Sequence, residues 1–223
     1  MTNPSARRAF DPRLLTPRII GALKLAVWVL ALVPLARLVH GAVVGDLGAN
    51  PVETITRTTG WYALVLLCAT LAVTPLRRLA QWPWLARLRR SLGLLSFVYA
   101  ALHFTAWLWF EHFFEIEAMW RDVIKRPFIT AGFIAFVLML ALAATSANAM
   151  VRLLGGRQWQ MLHRLVYLIA VLGVLHFWWM RAGKNDLADP AGFALLVSIL
   201  LGLRIWWRWG QDWFLRMATR SRG

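Results

Sequence analysis

Residues 157–179, RQWQMLHRLVYLIAVLGVLHFWW, decide how the rest of the chain is read. The run is apolar and long enough for a helix that crosses a bilayer, yet it carries an imidazole near each end, at His163 and His176. An ionisable side chain is costly in hydrocarbon and persists there when it faces a cofactor, a cavity or a partner group. Two on one span point to cofactor ligands.

The surrounding composition agrees with a membrane setting. Of 223 residues 60% are apolar, 14 are Trp and only 16% are charged, against roughly 25% charged in soluble domains. A net charge of +15 in a soluble protein would suggest a nucleic-acid partner. Here the charges fall between apolar runs, so nucleic acid is not expected and the lipid bilayer is the partner surface. The single Cys68 lies inside an apolar run, forms no intrachain disulfide and reads as packing. With no Gly-rich nucleotide loop and no nucleophile elbow, the chemistry must come from a bound cofactor.

A spanning helix needs about 20 mostly apolar residues, and six runs meet or approach that length: 19–38, 60–76, 92–110, 128–150, 161–180 and 191–207. The expected fold is therefore an all-α integral membrane protein, a six-transmembrane helix bundle over 19–207, flanked by basic tails at 1–18 and 208–223. Arg7 and Arg8 faintly resemble a twin-arginine export signal, but no small-residue cleavage site follows, so the first tail reads as cytoplasmic. With the N-terminus inside, 18 of the 25 Lys and Arg fall on the cytoplasmic side and 7 opposite, while 8 of 10 acids fall outside. Both termini are then cytoplasmic by the positive-inside rule, and Trp residues bracket the spans as an aromatic belt.

Depth separates the five histidines. His40 and His112 lie at span ends and read as interfacial. His103 on the third span stands 13 residues beyond Arg90, and His176 on the fifth stands 12 beyond Arg164. At about 1.5 Å per residue both rise roughly 18 to 20 Å above matching basic loops. Two neutral imidazoles at one level on neighbouring helices are what a six-coordinate b-type haem requires. The competing reading is polar glue, with each ring bonded to a backbone carbonyl or a hydroxyl such as that of Thr105. The matched depths favour haem.

His163 lies 13 residues below His176, roughly 20 Å, an offset that suits a second, inner haem. On one straight helix, however, 13 residues at 100° each leave the two side chains about 140° apart. The third span also offers no imidazole opposite His163; it offers Arg89 and Arg90. An inner haem would then be held by His163 alone, or by His163 with an unusual ligand such as Arg89, or its propionates would pair with Arg89 and Arg90.

Four stretches, TGWYALVLLCATLAVTPLRR, LRRSLGLLSFVYAALHF, KRPFITAGFIAFVLMLALAATSANAM and WQMLHRLVYLIAVLGVLHFWW, together resemble the MsrQ (YedZ) family of haem-binding membrane subunits of MsrPQ protein-methionine-sulfoxide reductase systems. That family lies within the ferric reductase-like transmembrane domains, which the NADPH oxidases share. The resemblance places the family's haem ligands on His103, His163 and His176, and implies one or two haem b. It also implies FMN, for which the sequence holds no motif. The implied role is electron transfer from quinol or a cytosolic flavin reductase, across a bacterial inner membrane, to a periplasmic molybdopterin methionine sulfoxide reductase (MsrP-like) that repairs oxidised envelope proteins. No catalytic site for methionine sulfoxide is expected in the chain itself. Two rivals remain: a stand-alone ferric or metal reductase cytochrome, and a non-haem transporter or scaffold whose histidines join helices.

Overall fold

The computed structural model describes residues 15–220, with side chains as far as 209; the tails at 1–14 and 221–223 lie outside the described residues. Every regular element among them is helical, and six helices are long and apolar enough to cross a membrane.

Proline starts several elements, because it lacks the N–H that a first helical turn leaves unused. Pro17 opens α1 (Pro17–Val44) after the Thr16 cap, and Pro51 opens α2 (Pro51–Leu79) after Asn50, whose side chain accepts the Glu53 N–H at 3.1 Å. Pro83 opens a 3-10 turn (Pro83–Arg87) leading into α3 (Arg89–Phe110). A short amphipathic helix, α4 (Ile116–Lys125), precedes α5 (Pro127–Ala144), where Pro127 takes the same position. Then follow α6 (Asn148–Leu154), α7 (Gly156–His163), α8 (Val166–Ala182) and α9 (Ala188–Arg220). With six helices able to cross in succession, the described residues begin and end on one side, here called the terminal face; α4 lies at the opposite face.

The helices extend beyond or stop short of the hydropathy runs at several ends, and three places have a local cause. The second span begins nine residues before residue 60, since the polar segment 51–59 is already helical behind its Asn50–Pro51 cap. The fourth ends at Ala144 and not at 150, because the Thr145 and Ser146 hydroxyls turn back onto the Ala141 and Leu142 carbonyls at 2.7 Å each and compete with helix continuation. A left-handed turn at Gly155 (φ 75°), conformationally easy only for glycine, then starts α7. The fifth span breaks at Arg164–Leu165, so His163 closes α7 and His176 belongs to α8.

Helices pack as two tight pairs, α2 with α3 and α5 with α8. The main core joins α2, α5, α8 and α9 through Leu64, Leu67, Leu71, Ala135, Ile169 and Leu200, with Cys68 buried among them as packing. A second cluster seats α4 on α3 and α5 through Trp107, Met119, Val123 and Ile129. Within the α2–α3 pair, Ser96 on α3 is fully buried and donates to the Ala63 carbonyl of α2 at 2.8 Å.

Candidate cofactor site

α3 and α8 bring His103 and His176 together, with ring centres 6.0 Å apart and ring planes nearly perpendicular at 78°. Each ring is anchored on its far side. His103 Nδ1 lies 2.8 Å from the Thr56 carbonyl of α2, and His176 Nδ1 lies 2.7 Å from the Phe128 carbonyl of α5. A carbonyl only accepts, so both Nδ1 atoms carry the proton and both Nε2 atoms keep a lone pair. That is the tautomer of a metal-ligating histidine, whose second nitrogen donates to an outer acceptor.

Two glycines make the anchoring possible. A Cβ on Gly60 would stand 2.9 Å from His103 Nδ1, and one on Gly132 would stand 2.7 Å from His176 Nδ1. Gly60 follows Thr56 by one helical turn, as Gly132 follows Phe128, and a helical carbonyl points toward residue i+4. Each glycine thus leaves a notch through which an imidazole reaches the carbonyl beneath. The two notches, on α2 and α5, are equivalent.

The spacing between the rings fits a single iron. Two axial imidazoles with metal–nitrogen bonds of about 2 Å, and ring centres about 1.2 Å further out, put those centres about 6.4 Å apart. The observed 6.0 Å is close to that. Phe104 and Phe136, stacked at 4.4 Å, supply apolar wall nearby, and Phe128 lies 6.1 Å from the His176 ring. The polar-glue alternative accounts for the carbonyl bonds at the two Nδ1 atoms; a metal between the rings would use the two Nε2 atoms as well.

His163 stands apart from this pair. Its Nδ1 lies 3.1 Å from the Trp159 carbonyl, its ring stacks on Trp159 at 3.9 Å, and its Nε2 is buried without a hydrogen-bond partner. Trp159 is itself fixed by its indole N–H, which donates to the Thr145 carbonyl at 2.9 Å. His163 therefore sits between the Trp159 and Leu142 carbonyls with a buried Nε2 and no facing imidazole. Arg89 is half-buried and within electrostatic reach of His163. Arg90 is exposed and donates to Asn148 Oδ1 at 2.7 Å, which commits it to the α3–α6 contact.

The remaining histidines differ in chemistry. His40 is exposed. His112, expected to be interfacial, is mostly covered: its ring packs on Trp107 at 4.6 Å and its Nε2 lies 3.3 Å from Asp122. Glu111, His112 and Asp122 bring ligand atoms within 4.8 Å of one another. Arg126 holds the other Asp122 oxygen at 2.7 Å, so Asp122 is already ion-paired and the cluster joins the end of α3 to α4. Burial pushes the Glu111 carboxyl above its ordinary range, opposed by His112 and Arg126.

Comparison with known proteins agrees with this architecture. The chain belongs to the ferric reductase-like transmembrane family, since the family described as "Ferric reductase like transmembrane component" matches residues 59–174. Within that class its similarity runs to MsrQ subunits. It is 57% identical, over 89% of this chain and 91% of the relative, to the "Protein-methionine-sulfoxide reductase heme-binding subunit MsrQ" of Ralstonia nicotianae. The protein of the same name from Herminiimonas arsenicoxydans is 56% identical over 87% and 89% of the two chains, and that from Rhodospirillum rubrum 46% identical over 82% and 86%.

Proposed function

We propose that this chain is the b-type haem, electron-transferring membrane subunit of a protein-methionine-sulfoxide reductase system. The observation that carries the reading is the His103–His176 pair, two Nδ1-protonated imidazoles facing one another at the spacing of axial ligands. The names of the relatives as heme-binding MsrQ subunits support it.

In this reading His103 and His176 bind the outer haem, while Thr56 and Phe128 hold the ring orientation and raise ligand basicity through their carbonyls. His163 binds an inner haem, with Arg89 as further ligand or propionate contact. Arg90, engaged with Asn148, has the weaker case as a propionate contact. Haem, when bound, supplies one-electron redox chemistry; the protein contributes ligation, burial and orientation. The terminal face is cytoplasmic, as the sorting of 18 and 7 basic residues favours, and the membrane is a bacterial inner membrane. Electrons come from quinol or a cytosolic flavin reductase and go to a periplasmic molybdopterin methionine sulfoxide reductase. FMN as a second cofactor rests on the family resemblance and has no residue assigned to it here.

The test is optical. Purified protein should show a Soret band and a sharp alpha band on dithionite reduction, and the reduced protein should be rapidly reoxidised by an oxidised MsrP-type partner with its substrate but not by ferric chelates. Reoxidation by ferric chelates alone would make it a stand-alone ferric reductase, and the absence of haem bands would make it a transporter or scaffold.

A further inference from the structure

Away from the histidines, a cavity of about 260 Å³ opens at the terminal ends of α2, α8 and α9, lined by Thr74, Arg78, Tyr167, Arg204, Trp207 and Arg208. Three of its six lining side chains are guanidiniums and none is acidic. Among the described residues none of the three arginines has a carboxylate partner. Arginine stays charged in proteins, so three together in one recess repel one another unless an anion joins them.

Arg204 shows that the recess is built and is not merely a basic rim. Pro75 lies inside α2 and has no N–H for the Leu71 carbonyl one turn earlier. Arg204 Nη2 donates to that freed carbonyl at 2.7 Å, which fixes the guanidinium inside the bundle. Its plane is further held over the Tyr167 ring at 5.0 Å, while Arg78 sits over Trp207 at 5.1 Å. With those two constraints met, Arg204 Nη1 is left buried and without a partner. A buried charged donor with no acceptor is costly, so a ligand oxygen is the natural complement.

We propose that this recess is a binding site for a phosphate group, held by Arg78, Arg204 and Arg208. Guanidinium forks match phosphate oxygens in pairs, and a phosphate's several acceptors and charge suit three arginines better than a single carboxylate does. Basic pockets between membrane helices at the cytoplasmic side also take anionic lipid headgroups. The phosphate arrives either on such a headgroup or as a soluble phosphate. The site does not depend on the haem reading.

The double substitution R78Q/R208Q tests it, with Arg204 left in place because it closes the Leu71 carbonyl. Holoprotein is stripped by detergent exchange and offered phosphatidylglycerol in phosphatidylcholine vesicles or, separately, labelled inorganic phosphate. Wild type should retain about one phosphatidylglycerol, or one labelled inorganic phosphate, per chain, and R78Q/R208Q should bind about 30-fold more weakly at unchanged haem content. Retention of phosphatidylglycerol identifies the headgroup as the source; retention of inorganic phosphate alone identifies a soluble one. Binding of neither, or equal binding by wild type and R78Q/R208Q, overturns the site. So does loss of haem with no change in bound phosphate, which would place haem carboxylates in the recess.

Discussion

At the scale of single residues, hydrogen-bond direction sets the chemistry of the histidines. Carbonyl acceptors at Thr56 and Phe128 hold two imidazoles in one tautomer, whereas His112 faces a carboxylate. Replacing Gly60 or Gly132 with Ala would drive a Cβ to within 3 Å of the ring it supports. Each should weaken haem retention by about 10–100-fold, the usual cost of disturbing an outer-shell partner, measurable by haem loss to apomyoglobin, and should shift the midpoint potential while leaving helical content intact. A variant with wild-type retention and potential would show that the notches do not position the ligands. H163A should leave the His103–His176 haem signal in place. Depth along the third and fifth spans made His103 and His176 legible from sequence alone. The glycines were not, because a glycine inside an apolar run reads equally as close helix packing, and only the three-dimensional match of the two notches separates the cases.

At the scale of elements, hydropathy located every span but misplaced ends that side-chain hydrogen bonds decide. Thr145 and Ser146 stop α5 early, and Arg164–Leu165 interrupt the fifth span, features with no counterpart in apolar periodicity. The α2–α3 pair depends partly on the buried Ser96–Ala63 bond. S96A should destabilise the bundle by about 0.6 kcal/mol, the average for interhelical hydrogen bonds in membranes, seen as a small fall in thermal-inactivation midpoint with haem bands unchanged. At the α3–α4 corner, burial raises the Glu111 pKa, so its carboxyl ionises later in the folded than in the unfolded chain. Folding is then favoured at low pH, and that contribution is lost as pH rises from the ordinary carboxyl value through the raised one. E111Q should flatten the pH profile of stability across that acidic window; an unchanged profile would count against the burial effect.

At the scale of the whole molecule, two helix pairs clamp two imidazoles between them, and the basic residues gather at the terminal face. The bundle, its span count and the meeting of His103 with His176 could all be read from the chain, because bilayer thickness and the cost of buried imidazoles constrain sequence strongly. The inner end could not, since His163 has no facing imidazole and Arg89 stands near it without a resolved contact. The central claim is that His103 and His176 ligate one haem together. Pyridine haemochrome quantification per chain, paired with low-temperature EPR of wild type, H103A and H176A, tests this most directly. Each single variant should lose the same haem and the same low-spin signal as the other, while any signal owed to His163 survives in both. Full low-spin haem in either variant would contradict the pairing.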